Sequence, residues 1–153
     1  MQAFTNIRRS LSSDGRAAFI SWQRLHANEW LTLIADAVSR HVELPDFGGQ
    51  ARGPGMFALS EPDEITALLG AAGFDHVLCD SYTPTIVVGG GGSLDDSVDF
   101  LLDNPMPRGL LGFVDPGARD DVLRTVHAEL VDRYDEGVGI RLGAAAWVVT
   151  AQA

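Results

Sequence analysis

FALSEPDEITALLGAAGFDHV, running from Phe57 to Val77, spells out a helix and the strand it feeds. Ser60 can cap the helix, Pro62 fits its first turn, and Asp63 and Glu64 suit the positive end of its dipole. Ile65, Leu68, Leu69 and Ala72 recur at helical spacing, and Gly73 supplies the stop. Phe74 to Thr83 then reads as a strand. Pro84 interrupts it, and Thr85 to Val88 is expected to extend it as an edge.

Upstream of this unit the first eleven residues predict a helix with Phe4, Ile7 and Leu11 on one face. Ser13-Asp14-Gly15 makes a turn, and Arg16 to Trp22 has the length of a strand. Helical spacing returns from Ala27 to Val42, with Trp30, Ile34, Ala37, Val38 and His41 in one stripe. A glycine- and proline-rich loop follows from Leu44 to Gly55. Downstream, Gly89 to Gly92 reads as a flexible hinge, and Ser93-Leu94-Asp95-Asp96 opens a helix that Asn104-Pro105-Met106-Pro107 breaks. A long helix is expected from Asp115-Pro116 to Tyr134, with Leu123, Val126, Leu130 and Tyr134 inward. Ala144 to Thr150 closes the chain as an apolar strand. Helices and strands interleaved in this order predict an α/β fold.

The composition fits one globular domain of 153 residues, because 46% hydrophobic and 21% charged residues exclude a disordered chain. Every basic residue is an arginine, and the formal charge is −10. So acidic a chain repels phosphate backbones, and no basic patch larger than Arg8-Arg9 offsets this, so no nucleic-acid partner is expected. Cys79 is the single cysteine, and His26, His41, His76 and His127 lack metal-ligand spacing, so no metal site is expected. No signal-peptide pattern and no run of 18 apolar residues occurs, which leads to the expectation of a cytoplasmic chain without a membrane partner.

Three segments, FTNIRRSLSSDGRAAFISW (Phe4 to Trp22), FALSEPDEITALLGAAGFDHV and AAAWVVTAQA (Ala144 to Ala153), together resemble the C-terminal half of a class I S-adenosylmethionine-dependent methyltransferase of the small-molecule type. The resemblance implies a partial Rossmann-like sheet holding the family's strands five, seven and six, with the last strand antiparallel between the other two. It implies a methyltransferase core over residues 1–88 and 144–153, and a helical insertion over 89–143 that caps the substrate. The family's glycine-rich loop, its acidic ribose contact and its fourth-strand contacts would all lie upstream of Met1. The resemblance therefore implies no cofactor bound by this chain alone, with S-adenosylmethionine belonging to the complete family enzyme. Gly89 to Gly92 is no substitute, since Asp95 and Asp96 in the following helical turn would repel an anion.

Trp22 falls at the C-terminal end of its strand, where open α/β sheets bind ligands. With His26 and Trp30 it is a candidate wall of a substrate pocket; the alternative is that the two tryptophans are core residues at element ends. His26 is the candidate catalytic base, since a methyl acceptor must lose a proton and imidazole titrates near neutrality. The resemblance makes the segments from Leu44 to Met56 and from Ser93 to Tyr134 a lid, so Met56, Phe57, Phe113 and Ile140 are candidate substrate contacts or ordinary packing residues. Cys79 reads as a quiet thiol, and Asp95, Asp96, Asp99 and Asp103 as a solvated helix face.

Two functions follow as expectations. One is the substrate-side portion of a small-molecule methyltransferase, inactive without a complementary cofactor-binding half. The other is a non-catalytic module derived from such an enzyme, binding a small apolar ligand or dimerising. A strand from Ala17 to Ile20 with an unpaired edge and no proline or internal charge to protect it leads to the expectation of a homodimer.

Overall fold

The computed structural model describes residues 2–44 and 55–153. Most of the loop expected from Leu44 to Gly55, together with Met1, lies outside the described residues. The fold is mixed α and β, with six α-helices and two three-stranded sheets among the described residues. Every hydrogen-bonded strand pair is antiparallel. The contacts divide the chain into two compact units: residues 2–25, 55–83 and 145–153 form the first, and 26–44 and 84–144 the second. The helix expected after His26 thus groups with the second unit and not with the strands of the first.

In the first unit α1 (Gln2–Ser10) leads into β1 (Arg16–Trp22), and α3 (Pro62–Ala71) leads into β2 (Asp75–Tyr82). The terminal strand β6 (Ala146–Gln152) lies between β1 and β2 and runs antiparallel to both. The expected end of α3 is present in full. Gly73 takes φ +91°, its N–H reaches Gly70 O at 3.0 Å, and Phe74 N reaches Leu69 O at 3.0 Å. These are the paired bonds of a Schellman turn, sealed by the burial of Phe74. At the other end Glu61, not Ser60, is the N-cap. Ser60 is used through its carbonyl, which accepts the Trp147 indole N–H at 2.8 Å.

Strand alternation gives this sheet two unlike faces. Ala17, Phe19, Val77, Cys79, Trp147, Val149 and Ala151 face α1 and α3, where Phe4, Ile65, Leu69, Ala72 and Phe74 pack on them. Phe4 packs on Phe19 with ring centroids 5.5 Å apart and the ring planes tilted by 38°. Each large apolar side chain closed off in this way contributes about 1.5–3 kcal/mol. The opposite face is open: Ile20 is 68% exposed, Leu78 59% and Tyr82 54%.

The second unit contains α2 (Glu29–Ser39), α4 (Leu94–Asp103), α5 (Pro105–Leu111) and α6 (Arg119–Val131). The insertion expected to be helical also carries a sheet, in which β5 (Gly139–Gly143) lies between β3 (Thr85–Val87) and β4 (Tyr134–Asp135). Thr85 to Val87 therefore does not extend β2; after Pro84 the backbone pairs with β5, and Ala144 N donates to Pro84 O at 2.9 Å. The expected long helix is also shorter. Pro116 to Ala118 form a 3-10 turn, α6 begins at Arg119, and Tyr134 belongs to β4. Its buried stripe is Val122, Val126 and Leu130, at four-residue steps, which leaves the expected Leu123 exposed. These residues join Ile34, Val38, Leu101, Leu110, Ile140 and Leu142 in one core.

The glycine run is a tightly packed turn and not a free hinge. Gly89, Gly90, Gly91 and Gly92 all have positive φ, and a Cβ on Gly91 would meet Val138 O at 2.8 Å. The Tyr134 hydroxyl donates to Gly92 O at 3.2 Å. Ser93 and Asp96 then form a complete capping box at the start of α4, and the Ser93 hydroxyl holds the Asp96 carboxyl below its usual range. Replacing Gly91 by alanine is expected to cost about 1–3 kcal/mol in urea denaturation, through its left-handed backbone and the contact with Val138. Gly117→Ala, at an open position, is expected to stay within about 0.5 kcal/mol.

Candidate functional site

The C-terminal end of β1 is the first place where the expected site residues can be located. Trp22 ends the strand half-buried. Beyond it Gln23 N donates to Ala145 O at 2.9 Å, and the Gln23 amide donates to Ser81 Oγ at 2.8 Å and Ala146 O at 2.9 Å. One side chain therefore ties the ends of β1, β6 and β2 together. Arg24 forms a two-pronged ion pair with Glu61, which occupies the N-cap position of α3 without a side-chain capping bond. Hydrogen bonding to Glu61 raises the arginine pKa further above its already high ordinary value. Cys79 is half-buried in β2, and burial pushes its thiol pKa up, which disfavours the thiolate that nucleophilic chemistry needs.

His26 lies in a 3-10 turn, Leu25–Ala27, and is exposed. Its ring has no hydrogen-bond partner among the described residues, so nothing there orients it as a base. Asn28, fully buried, precedes α2 and accepts from the Trp30 indole N–H at 3.3 Å. The next residue, Glu29, is the polar centre of the second unit. Its Oε1 accepts from Arg133 Nε at 2.8 Å and its Oε2 from Gly143 N at 2.8 Å. The Gly143 N–H is the main reason its carboxyl titrates below the ordinary range; burial opposes the shift and Arg133 reinforces it. This pairing holds the start of α2 against the ends of α6 and β5, and so fixes the backbone that carries Asn28 and Trp30.

The expected contacts divide between the units. Trp22, Met56 and Phe57 belong to the first, and His26, Trp30, Phe113 and Ile140 to the second. Met56 and Phe113 are exposed, and Phe57 is buried. Ile140 is closed off completely within the second core, where its surroundings are those of a packing residue. His41 bonds Thr125 Oγ1 at 2.8 Å, and His127 lies 3.7 Å from Asp95.

Three clefts are formed by other residues. One runs along α4 and is lined by Asp96, Asp99, Phe100 and Asp103; another lies between α2 and α6 beside Arg40, His41 and Thr125. The third sits on the open sheet face at the first residue of β1, beside Arg16 and His76. None of these three includes Trp22, His26 or Trp30. Among the described residues no group of three or more histidine, cysteine or carboxylate side chains is close enough to hold a metal ion. No helix of the described residues is long and apolar enough to cross a membrane. In comparisons with known proteins, no family model and no curated protein matches the chain.

Sequence reading missed Glu29 and Arg133, which lie 104 positions apart and carry no local signal of pairing. Their interaction has a defined pH signature. A carboxyl with a lowered folded pKa stabilises fully above its unfolded pKa of about 4.3, and the gain is lost as pH falls through the folded pKa. The stability difference between the natural chain and Glu29→Gln is therefore expected to be constant from about pH 6 upward and to shrink below about pH 4.3. Urea unfolding at a series of pH values checks this.

Proposed function

We infer that the chain is the substrate-side portion of an S-adenosylmethionine-dependent methyltransferase acting on a small molecule, and that it works only with a complementary cofactor-binding half. The observation that carries this reading is the sheet of the first unit. Two strands that run in the same direction, each entered from a helix packed on the same face, flank a terminal strand of opposite direction. That order agrees with the resemblance carried by the three sequence segments.

The chemistry asks little of this portion. Transfer of a methyl group from a sulfonium to an oxygen or nitrogen depends chiefly on in-line positioning, so apolar contacts to the acceptor and one proton acceptor suffice. Trp22, Met56 and Phe57 are the candidate contacts carried by the first unit; Trp30, Phe113 and, as base, His26 are those carried by the second. The cofactor would be held elsewhere. The glycine run leads into a helix whose first turn is occupied by Asp95 and by Asp96, already bonded to Ser93, and that arrangement disfavours an anion. A reducing, cytoplasmic setting suits the single free thiol.

Complementation tests the reading directly. Mixed with the separately produced cofactor-binding half of a small-molecule methyltransferase, the chain is expected to form a one-to-one complex and to support transfer of a labelled methyl group to phenol or amine acceptors. A stable mixture without complex or transfer would overturn it. Isothermal titration of the chain alone with S-adenosylmethionine is expected to show no binding tighter than about 10 μM, roughly −7 kcal/mol.

A second reading, a dimerising module, is favoured by the edge of β1. Gln23 N bonds Ala145 O and Ala153 N bonds Gly15 O, so the odd-numbered residues of β1 are those bonded to β6. The amides of Ala18 and Ile20 consequently point out of the sheet. No proline or carboxylate guards this strand, and strand pairing between two copies would satisfy those groups. Sedimentation at micromolar concentration is expected to show a homodimer. A well-folded monomer would remove this second reading.

A further inference from the structure

We propose that the cleft on the open face of the first unit's sheet binds a small organic anion, a monocarboxylate with a short apolar body. The cleft has a volume of about 270 Å³. It is built at the first residue of β1 and so lies about 20 Å along the strand from Trp22, the candidate substrate contact at the strand's other end.

The register arranges the lining in two rows. Arg16 and Gln152 are paired across β1 and β6, with Asp75 of β2 opposite Gln152 on its other side but outside the cleft lining, and two residues further along Ala18, Thr150 and Leu78 stand side by side on the same face. One end of the cleft therefore offers a guanidinium and an amide, and the other a leucine side chain, a methyl and the methyl of a threonine. A carboxylate with a short hydrocarbon tail matches this polarity. A guanidinium takes a carboxylate in two-pronged geometry, and an amide N–H adds a third donor.

Two observations set this cleft apart from an ordinary surface depression. The Arg16 side chain makes no ion pair or hydrogen bond among the described residues, a property it shares with Arg9 and Arg119 but alone combines with a place in a cleft lining, whereas Arg24, Arg40, Arg108, Arg124, Arg133 and Arg141 are each held by a carboxylate of this acidic chain. Its cation is available to an outside anion. The second observation is His76, which also lines the cleft. Between Asp75 and Leu78 the register of β2 slips by one residue, and His76 takes φ +51° there, the sole non-glycine residue with positive φ among those described. A histidine in that conformation is strained where glycine would not be, and bulges of this kind re-aim a side chain. Here the bulge brings His76 into the lining of the same cleft as Arg16, from the β2 side of β6.

The experiment is a titration of the full chain with butyrate, followed by backbone amide shifts of Thr150 and Gln152, with butanol and inorganic phosphate as comparison probes. Butyrate is expected to give saturable shifts in the millimolar range. Butanol, which lacks the charge, and phosphate, which lacks the apolar body, are expected to bind at least tenfold more weakly. Arg16→Gln removes an exposed, unpaired side chain and is expected to leave folding intact while weakening butyrate at least tenfold. His76→Gly is expected to raise the melting temperature by relieving the backbone strain and yet to weaken butyrate at least threefold. A purely structural bulge would give the first effect without the second. Absence of saturation by butyrate, equal binding of phosphate or butanol, or unchanged affinity in either variant would overturn the proposal. None of these outcomes bears on the complementation test of the transferase reading.

Discussion

The antiparallel insertion of β6 between β1 and β2 is the constraint on which the first unit depends. β1 and β2 do not touch each other in the ladder, so every backbone hydrogen bond of the sheet that links them passes through the chain's last strand. Its side chains also build the core: Val149 and Ala151 are buried under α1 and α3, and the Trp147 indole reaches Ser60 O. Because β6 takes the inner position, β1 and β2 are left as edges, and because both helices pack on one face, the other face is left to solvent. The open edge of β1 and the cleft beside Arg16 are consequences of that single placement.

The second unit is organised differently, around a buried aliphatic core and one polar junction. The strands there are only two to five residues long, too short to be stable without the helices packed on them. Glu29 satisfies the Gly143 N–H and the Arg133 guanidinium together, at a point where α2, α6 and β5 end close to one another. The close approach of Gly91 to Val138 and Gly139 serves the same purpose on the other side of β5, where any side chain at Gly91 would push the two backbone segments apart.

Much of the first unit was legible in the sequence because its signals are local. The stop of α3 needs only Gly73 and an apolar Phe74, and the terminal strand needs only an apolar run of the right length. The second unit was less legible for physical reasons. Thr85 to Val87 has strand character but nothing in three residues specifies its partner, and β5 won over β2. Leu123 and Val122 are adjacent apolar residues, and the 3-10 turn at Pro116 set the helix phase that buries Val122. Among candidate site residues, position along the chain located Trp22 at the end of its strand, but could not distinguish a core residue such as Ile140 from a surface one such as Phe113. The Arg16 and His76 cleft escaped notice because a β-bulge leaves no pattern in the sequence, and because the absence of an ion-pair partner is a property of three-dimensional neighbours.

Amide hydrogen exchange along β6 tests the central placement most directly. A strand bonded on both sides has no outward-facing amide, since Trp147, Val149 and Ala151 are turned to β1 and Val148 and Thr150 to β2. All five consecutive amides from Trp147 to Ala151 are therefore predicted to exchange slowly and together, at the rate set by unfolding of the unit. Slow exchange at every second residue only, with Val148 and Thr150 fast, would show β6 to be an edge strand and would contradict the account.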